Sequence, residues 1–385
     1  MGELVDARTA AGRLGVDVRT LYAYVSRGSL RRIPGPGGRG SRYDSDDLEL
    51  LARRSRPRTL PRPAASIDLV IATRVSTVTD GVVRYRGKDV LDLVATSEPF
   101  ERVADLLWQG DGGDWPMPAP GNDPVPAAGM DGGIPVLHRL AIAVATLPRS
   151  DSDTRPGPDW PAWGRRIVGR LVEAGGHPDE GTGGGREFGE SIAGRLWRRW
   201  SPLRPTADRV RALDMALVLL AEHELALSTL AVRVAASARA APAACVLAGL
   251  STLSGDLHGA AAPAVHEKLA AREPVTRGFG HVLHRHGDPR AAPLLDAVRS
   301  FATEGDLELF EQARRELPRH PNIDFPLGAL TYAARMPPEA GGALFAIARV
   351  AGWIAHAAEE YAERPLRFRG HAFETGRLGS GHEAG

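Results

Sequence analysis

Beyond residue 90 the apolar residues of this chain recur at three- and four-residue spacing. They do so in stretches around 136–147, 163–174, 207–250, 291–317 and 341–362. That period lines one face of an α-helix and fits no pleated strand. A body patterned this way is expected to be nearly all-α, and 385 residues are enough for more than one domain. Pro/Gly/Asp-rich stretches near 110–135 and 150–160 are expected as loops between helices. No internal repeat is present.

A hydrophobic share of 43% is ordinary for a globular protein. The single cysteine, Cys245, allows no internal disulfide framework and fits a reducing compartment. No basic start followed by an apolar stretch marks a signal peptide, and no apolar run reads as a bilayer span. A soluble, cytoplasmic protein without membrane contact is expected.

Residues 1–54 are organised differently. Ala7, Ala10, Ala11 and Leu14 share a helical face that Gly15 ends. Asp17 is placed to cap a second helix burying Val18, Leu21, Tyr22 and Val25. The basic loop RRIPGPGGRGSRY follows, and Asp44 is expected to cap a third helix through Leu48 and Leu51. Two short helices, a tight turn and a basic hairpin resemble a small winged helix-turn-helix domain of the MerR or excisionase type. RTLYAYVSRGSL is typical of that group. The resemblance implies that Arg19, Thr20 and Tyr24 face a DNA major groove and that Arg39 and Arg42 touch phosphate. The alternative is a retained domain that serves only packing or assembly. Residues 55–66, rich in Pro and Arg, read as a linker. Residues 1–63 hold 13 Arg against seven Asp and Glu, so the rest of this +1 chain is net acidic. The two parts are suited to different partners.

Four segments of the body place polar groups where a plain core would not. In DMALVLLAEHELALSTL, His223 has Leu219, Leu220, Ala226 and Leu227 as helical neighbours, and is either a satisfied core histidine or a site residue. In GDLHGAAAPAV, His258 stands at an expected helix start. In GFGHVLHRHGDPRA, glycines allow close backbone approach, with His281 and Arg290 framing the turn. In LPRHPNIDFPLGAL, Asp324 sits in a Pro-bounded loop entering a helix.

These segments, with LFAIARVAGW and RYRGKDVLDLVATSEPFERVADLLWQGD (a YRG-containing helical start), resemble citrate synthase in their order. The resemblance covers about residues 67–385. It implies an all-α fold with a large domain at 67–259 and 336–385 and a small domain at 260–335. The implied reaction condenses acetyl-CoA with oxaloacetate and water to give citrate and CoA. Deprotonating the acetyl methyl group needs a carboxylate near the carbon and a donor to the thioester oxygen. The resemblance assigns Asp324 as base, His258 as donor and His281 as the group polarising the oxaloacetate carbonyl. It assigns His223, Arg290 and Arg349 to oxaloacetate, the guanidinium forks suiting carboxylates. A neutral His258 is expected, favoured by the helix N-terminus at HGAAAPAV. A further arginine, Arg369 in RFRGHAFETG with Arg364 as the alternative, would come from a partner subunit, implying a homodimer or larger. The CoA nucleotide would lie near Gly278, Phe279 and Gly280. No metal and no cofactor beyond acyl-CoA as substrate is implied.

Ala226 and Ala262 stand where the family often has Asn, and Gly370-His371 interrupts its RPRA, which bears on substrate preference. Other features have plainer readings. Cys245 is expected as a buried small hydrophobe, and Trp197 and Trp200 as helix packing. GTGGGRE around Gly183 reads as a flexible loop. His284 and His286 form an H-x-H without a third metal ligand, read as solvated turn residues near CoA. Two other functions remain open: 2-methylcitrate synthesis from propionyl-CoA, and a DNA-binding regulator that senses CoA or a dicarboxylate.

Overall fold

The computed structural model describes the chain except residues 1–3, 15, 27–29, 36–39, 46, 49–68, 116–132, 148–157, 176–190, 282, 285–286, 317–318 and 371–385. Two compact units result, residues 1–71 and 72–385. Gly15, Arg39, the linker at 55–66, the GTGGGRE loop and His286 lie outside the described residues.

The first unit runs β1 (Leu4–Asp6), α1 (Ala7–Leu14), α2 (Val18–Ser26), β2 (Ile33–Pro34) and β3 (Ser41–Asp44). The strands form an antiparallel sheet ordered β1-β3-β2, with Asp6 opposite Arg42 and Ile33 also opposite Arg42. Asp17 Oδ1 accepts from the Thr20 amide at 2.8 Å, satisfying one of the first free N–H groups of α2. Ala10, Ala11, Leu14, Leu21 and Tyr43 close a small core. Tyr22 departs from expectation. It is 50% exposed, because the nine-residue α2 buries only the stripe through Leu21 and Tyr22 lies 100° around from it. Asp44, expected as a helix cap, ends β3 opposite Leu4, and the expected helix follows directly, at Ser45, Asp47 and Leu48 among the described residues, while Leu51 falls outside them.

The second unit opens with three strands, β4 (Ser76–Thr79), β5 (Val82–Tyr85) and β6 (Lys88–Asp89), paired in that order. The expected helical start at YRG is therefore strand and turn. Asp80-Gly81 and Arg86-Gly87 both take positive φ, the geometry of two-residue hairpin loops, and Val83 and Tyr85 alternate inward. Thirteen helices follow among the described residues. They are α3 (Val90–Ala95), α4 (Phe100–Trp108), α5 (Val136–Ala145), α6 (Trp160–Ala174), α7 (Ile192–Trp200), α8 (Ala207–Leu220) and α9 (Leu227–Ser237). Then come α10 (Pro242–Leu253), α11 (Ala261–Ala271), α12 (Ala291–Arg299), α13 (Glu304–Glu316), α14 (Asp324–Ala333) and α15 (Ala340–Tyr361). The mostly helical expectation holds.

α15 is the central element. It packs on α4, α6, α9, α10 and α8, and Trp353 lies wholly buried against Gly249 of α10, where an added Cβ would come within 2.8 Å of the indole. α15 is also long and apolar enough to cross a membrane, contrary to the reading from sequence. Its apolar window is entirely buried within the protein, which accounts for that composition. Cys245 is buried, as are Trp197, whose Nε1 donates to Leu203 O at 2.8 Å, and Trp200.

Candidate active site

His223 does not sit on a helix. α8 ends at Leu220 and α9 begins at Leu227, so residues 221–226 form an irregular bridge in which Glu224 has φ 53°. The hairpin makes the break possible by supplying partners for the freed backbone. Tyr85 Oη donates to Glu222 O at 2.8 Å, the Glu224 amide donates to Ser76 Oγ at 3.2 Å, and the Val78 amide donates to Glu224 Oε1 at 2.9 Å. Beneath it, fully buried Glu222 takes Ser76 Oγ and His356 Nε2 on Oε1, both at 3.1 Å. His356 in turn meets Arg233 at 2.7 Å, and Arg233 pairs with Glu359 and Glu360. None of Tyr85, Glu222, Arg233 and His356 stood out as a supporting residue in the sequence. The signal was available in α15, where His356 and Glu360 join Arg349 and Glu359 in a mostly apolar helix.

A second bridge carries His281 and Asp324. The segment 278–280 pairs with 320–322: Asn322 N donates to Gly278 O at 2.9 Å, Gly280 N to His320 O at 2.8 Å, and Asn322 Nδ2 to Gly280 O at 2.9 Å. Gly278 has φ +83°, and a Cβ there would lie 3.0 Å from the backbone of Phe325, so only glycine lets this turn touch the start of α14. Asp324 is the first residue of that helix, and its amide donates to Asn322 Oδ1 at 3.0 Å. Burial pushes its carboxyl up to about 6, against the opposing pull of Arg290 and Arg349.

Arg290 and Arg349 are each 2% exposed, and they differ in how they are held. Asp288 receives both ends of the Arg290 guanidinium and also the Ile323 amide at 3.1 Å. Burial works against charge on Asp288, yet Arg290 holds it below the ordinary carboxylate range. Arg349 donates through Nε to Leu220 O at 2.8 Å, stacks 4.6 Å from the Phe345 ring, and makes no ion pair with any described residue. Burial lowers its pKa, with Glu222 opposing.

His258 lies in the turn ahead of α11 rather than on the helix, and its Nε2 meets Ser228 Oγ at 2.8 Å. Burial and then Arg349 favour the neutral ring. His223 is driven well below the ordinary histidine range by burial, Arg290 and Arg349, and His281 is lowered by burial and Arg290. His284 corrects the sequence reading most directly. It is 4% exposed, not solvated, and its Nε2 lies 2.9 Å from His223 Nε2. The rings of His223, His281 and His284 are mutually 5.0–5.1 Å apart. Among the described residues no three His, Cys, Asp or Glu are arranged to hold a metal.

His223, His258, His281, Arg290, Asp324 and Arg349 thus form one electrostatically coupled cluster. Phe279, half-buried, touches Phe325 at 4.9 Å between ring centroids. Arg369 and Arg364 are both exposed near the described C-terminal end, and Arg369 bonds to no described residue. Arg19 is exposed on α2, whereas Thr20, Tyr24 and Arg42 are half-buried.

The family model "Citrate synthase, C-terminal domain" matches residues 183–369. The chain is 33% identical over 190 residues to 2-methylcitrate synthase 2 of Corynebacterium glutamicum, covering 43% of this chain and 49% of that protein. It is 34% identical over 182 residues to a citrate synthase of Mycolicibacterium smegmatis, covering 41% and 48%. The chain thus spans about half the length of the curated relatives it matches. The citrate synthase of Thermotoga maritima superposes with a TM-score of 0.63 at 21% identity, over 82% of this chain and 95% of that one. The Thermoplasma acidophilum citrate synthase, solved as a ternary complex with carboxymethyl coenzyme A and oxaloacetate, gives the same TM-score and identity, over 82% and 96%. The chain therefore carries the citrate synthase fold, with residues 183–369 matching that family's C-terminal domain.

Proposed function

We propose that this chain condenses acetyl-CoA with oxaloacetate and water to give citrate and CoA. Arg349 carries the reading. A fully buried guanidinium that no described residue pairs with is costly unless an anion completes it, and a dicarboxylate beside Arg290 would do so. Asp324, as carboxylate, takes a proton from the acetyl methyl group. Neutral His258, its Nε2 engaged by Ser228, donates from Nδ1 to the thioester oxygen as the enol forms. The enol carbon attacks the oxaloacetate carbonyl, polarised by a hydrogen bond from His281; the enol proton returns to His258 as the thioester carbonyl reforms, the new alkoxide takes a proton from solvent while Asp324 releases its own, and water then cleaves the citryl thioester to release CoA. The GFG turn of Gly278, Phe279 and Gly280 is where the CoA nucleotide would lie. Release of free CoA from acetyl-CoA plus oxaloacetate tests this reading. Absence of turnover from protein that binds oxaloacetate would instead favour a sensor.

The likeness to a 2-methylcitrate synthase supports a second acyl donor, propionyl-CoA, giving 2-methylcitrate. One methylene discriminates by only about 1–3 kcal/mol, so the ratio of kcat/KM for the two thioesters names the product.

Arg369 is the arginine a partner subunit would add to the site, with Arg364 as the alternative, making the enzyme at least a homodimer. In the N-terminal unit, Arg19, Thr20, Tyr24 and Arg42, together with Arg39, would contact DNA. A gel shift that weakens steeply with salt and vanishes in Arg19→Ala supports that role. Absence of a shift leaves the unit to assembly.

A further inference from the structure

Two neutral imidazoles meeting Nε2 to Nε2 at 2.9 Å can share only one proton, so one ring donates and the other accepts. Which ring donates follows from the other nitrogen of His284. Its Nδ1 is buried and bonds to no described residue. If His223 were the donor, the proton of His284 would sit on Nδ1 as a buried N–H without an acceptor. If His284 is the donor, Nδ1 keeps only an unused lone pair, and an orphaned lone pair is the more tolerable of the two. His223 then accepts at Nε2 and must carry its own proton on Nδ1, which bonds to no described residue.

The surroundings keep His223 neutral, as this sharing requires: burial, then Arg290 and Arg349, disfavour a second proton on the ring. His281 is not the fixing partner, because its ring stands edge-on to His223 with centroids 5.0 Å apart and no hydrogen bond joins the two.

We propose that His284 is a positioning residue that fixes the tautomer of His223, so that His223 presents Nδ1–H to an oxygen of the 2-oxo dicarboxylate. The substrate part of this inference rests on the condensation reading above; the tautomer part does not.

The test uses the full-length protein with 15N-labelled histidine. Two-bond proton–nitrogen correlations, assigned with His223→Gln, report which nitrogen of His223 is protonated. The Nδ1–H form is expected in wild type, with a mixture of tautomers in His284→Phe. Calorimetry with oxaloacetate supplies the second readout. His284→Phe should weaken binding about 10-fold, the worth of one hydrogen bond to a charged ligand. The KM for acetyl-CoA should stay within about twofold, and His284→Gln, whose amide can still donate, should recover most of the loss. Finding His223 in the Nε2–H form in wild type overturns the proposal, as does unchanged oxaloacetate affinity in His284→Phe. So does a His284→Gln variant as weak as the phenylalanine one. If wild type binds no oxaloacetate, the condensation reading fails, and the tautomer measured by NMR still decides the role of His284.

Discussion

The Asp288 carboxylate holds the Arg290 guanidinium by both oxygens, Oδ1 accepting from Nε at 2.9 Å and Oδ2 from Nη2 at 2.8 Å. Oδ2 also takes the Ile323 amide, so one carboxylate ties the arginine to the residue preceding Asp324. Breaking a buried pair strands the remaining charge. Asp288→Ala is expected to cost about 3–5 kcal/mol of stability in urea titrations. A loss below about 1 kcal/mol would show that the pair is not structural.

Asp324 must be ionised to take a proton, and its pKa is raised to about 6 by burial, with Arg290 opposing. Activity therefore falls as pH drops through about 6, since protonation removes the base. The kcat/KM profile should show this acid limb. Asp324→Ala should lower turnover at least about 100-fold at neutral pH. A flat profile down to pH 5 contradicts the assignment.

Arg349 places function against stability. Arg349→Met removes a buried charge that pairs with no described carboxylate, so the ligand-free variant should unfold at a higher temperature than wild type, by roughly 1–3 kcal/mol of added stability. Oxaloacetate should stabilise wild type and leave the variant unchanged. Thermal melts with and without ligand read both effects, and an oxaloacetate-stabilised variant would remove Arg349 from the site.

Gly352 of α15 faces the Glu222 bridge. A Cβ there would overlap Glu222 Oε2 and lie 2.7 Å from Ala221 O, while its own amide donates to Ala221 O at 3.0 Å. Gly352→Ala should destabilise by about 3 kcal/mol and raise the KM for oxaloacetate, because the bridge carrying His223 must shift. Wild-type stability in the variant would mean that the bridge yields freely.

If Arg369 acts across subunits, a mixed dimer of Arg369→Ala and Asp324→Ala carries both lesions in one site and leaves the other site intact. Co-refolding the two inactive variants should restore up to about a quarter of wild-type turnover, because half the molecules are mixed and each holds one intact site. No recovery from co-refolded dimers places Arg369 outside the partner's site.

What residues could announce alone was periodicity and chemistry. The helical spacing foretold most of the helices, and the order of the histidine, arginine and aspartate segments pointed to the fold. Local order misled wherever the backbone found partners far along the chain. Residues 221–226 look like continuous helix because Leu219, Leu220 and Leu227 keep the apolar beat. They leave it because Tyr85 and Ser76, about 140 positions earlier, satisfy the freed amides and carbonyls. His284 looks like a polar turn residue, and only the packing of its loop on the His223 bridge buries it. The same holds for charge: α15 shows an arginine, a histidine and glutamates in its sequence, but nothing local says that Arg233 compensates Glu360 while Arg349 pairs with no described carboxylate. Amphipathic pattern is a property of neighbours in sequence and determined the elements. Burial, tautomer and ion pairing depend on neighbours in space, and those only the tertiary structure decided.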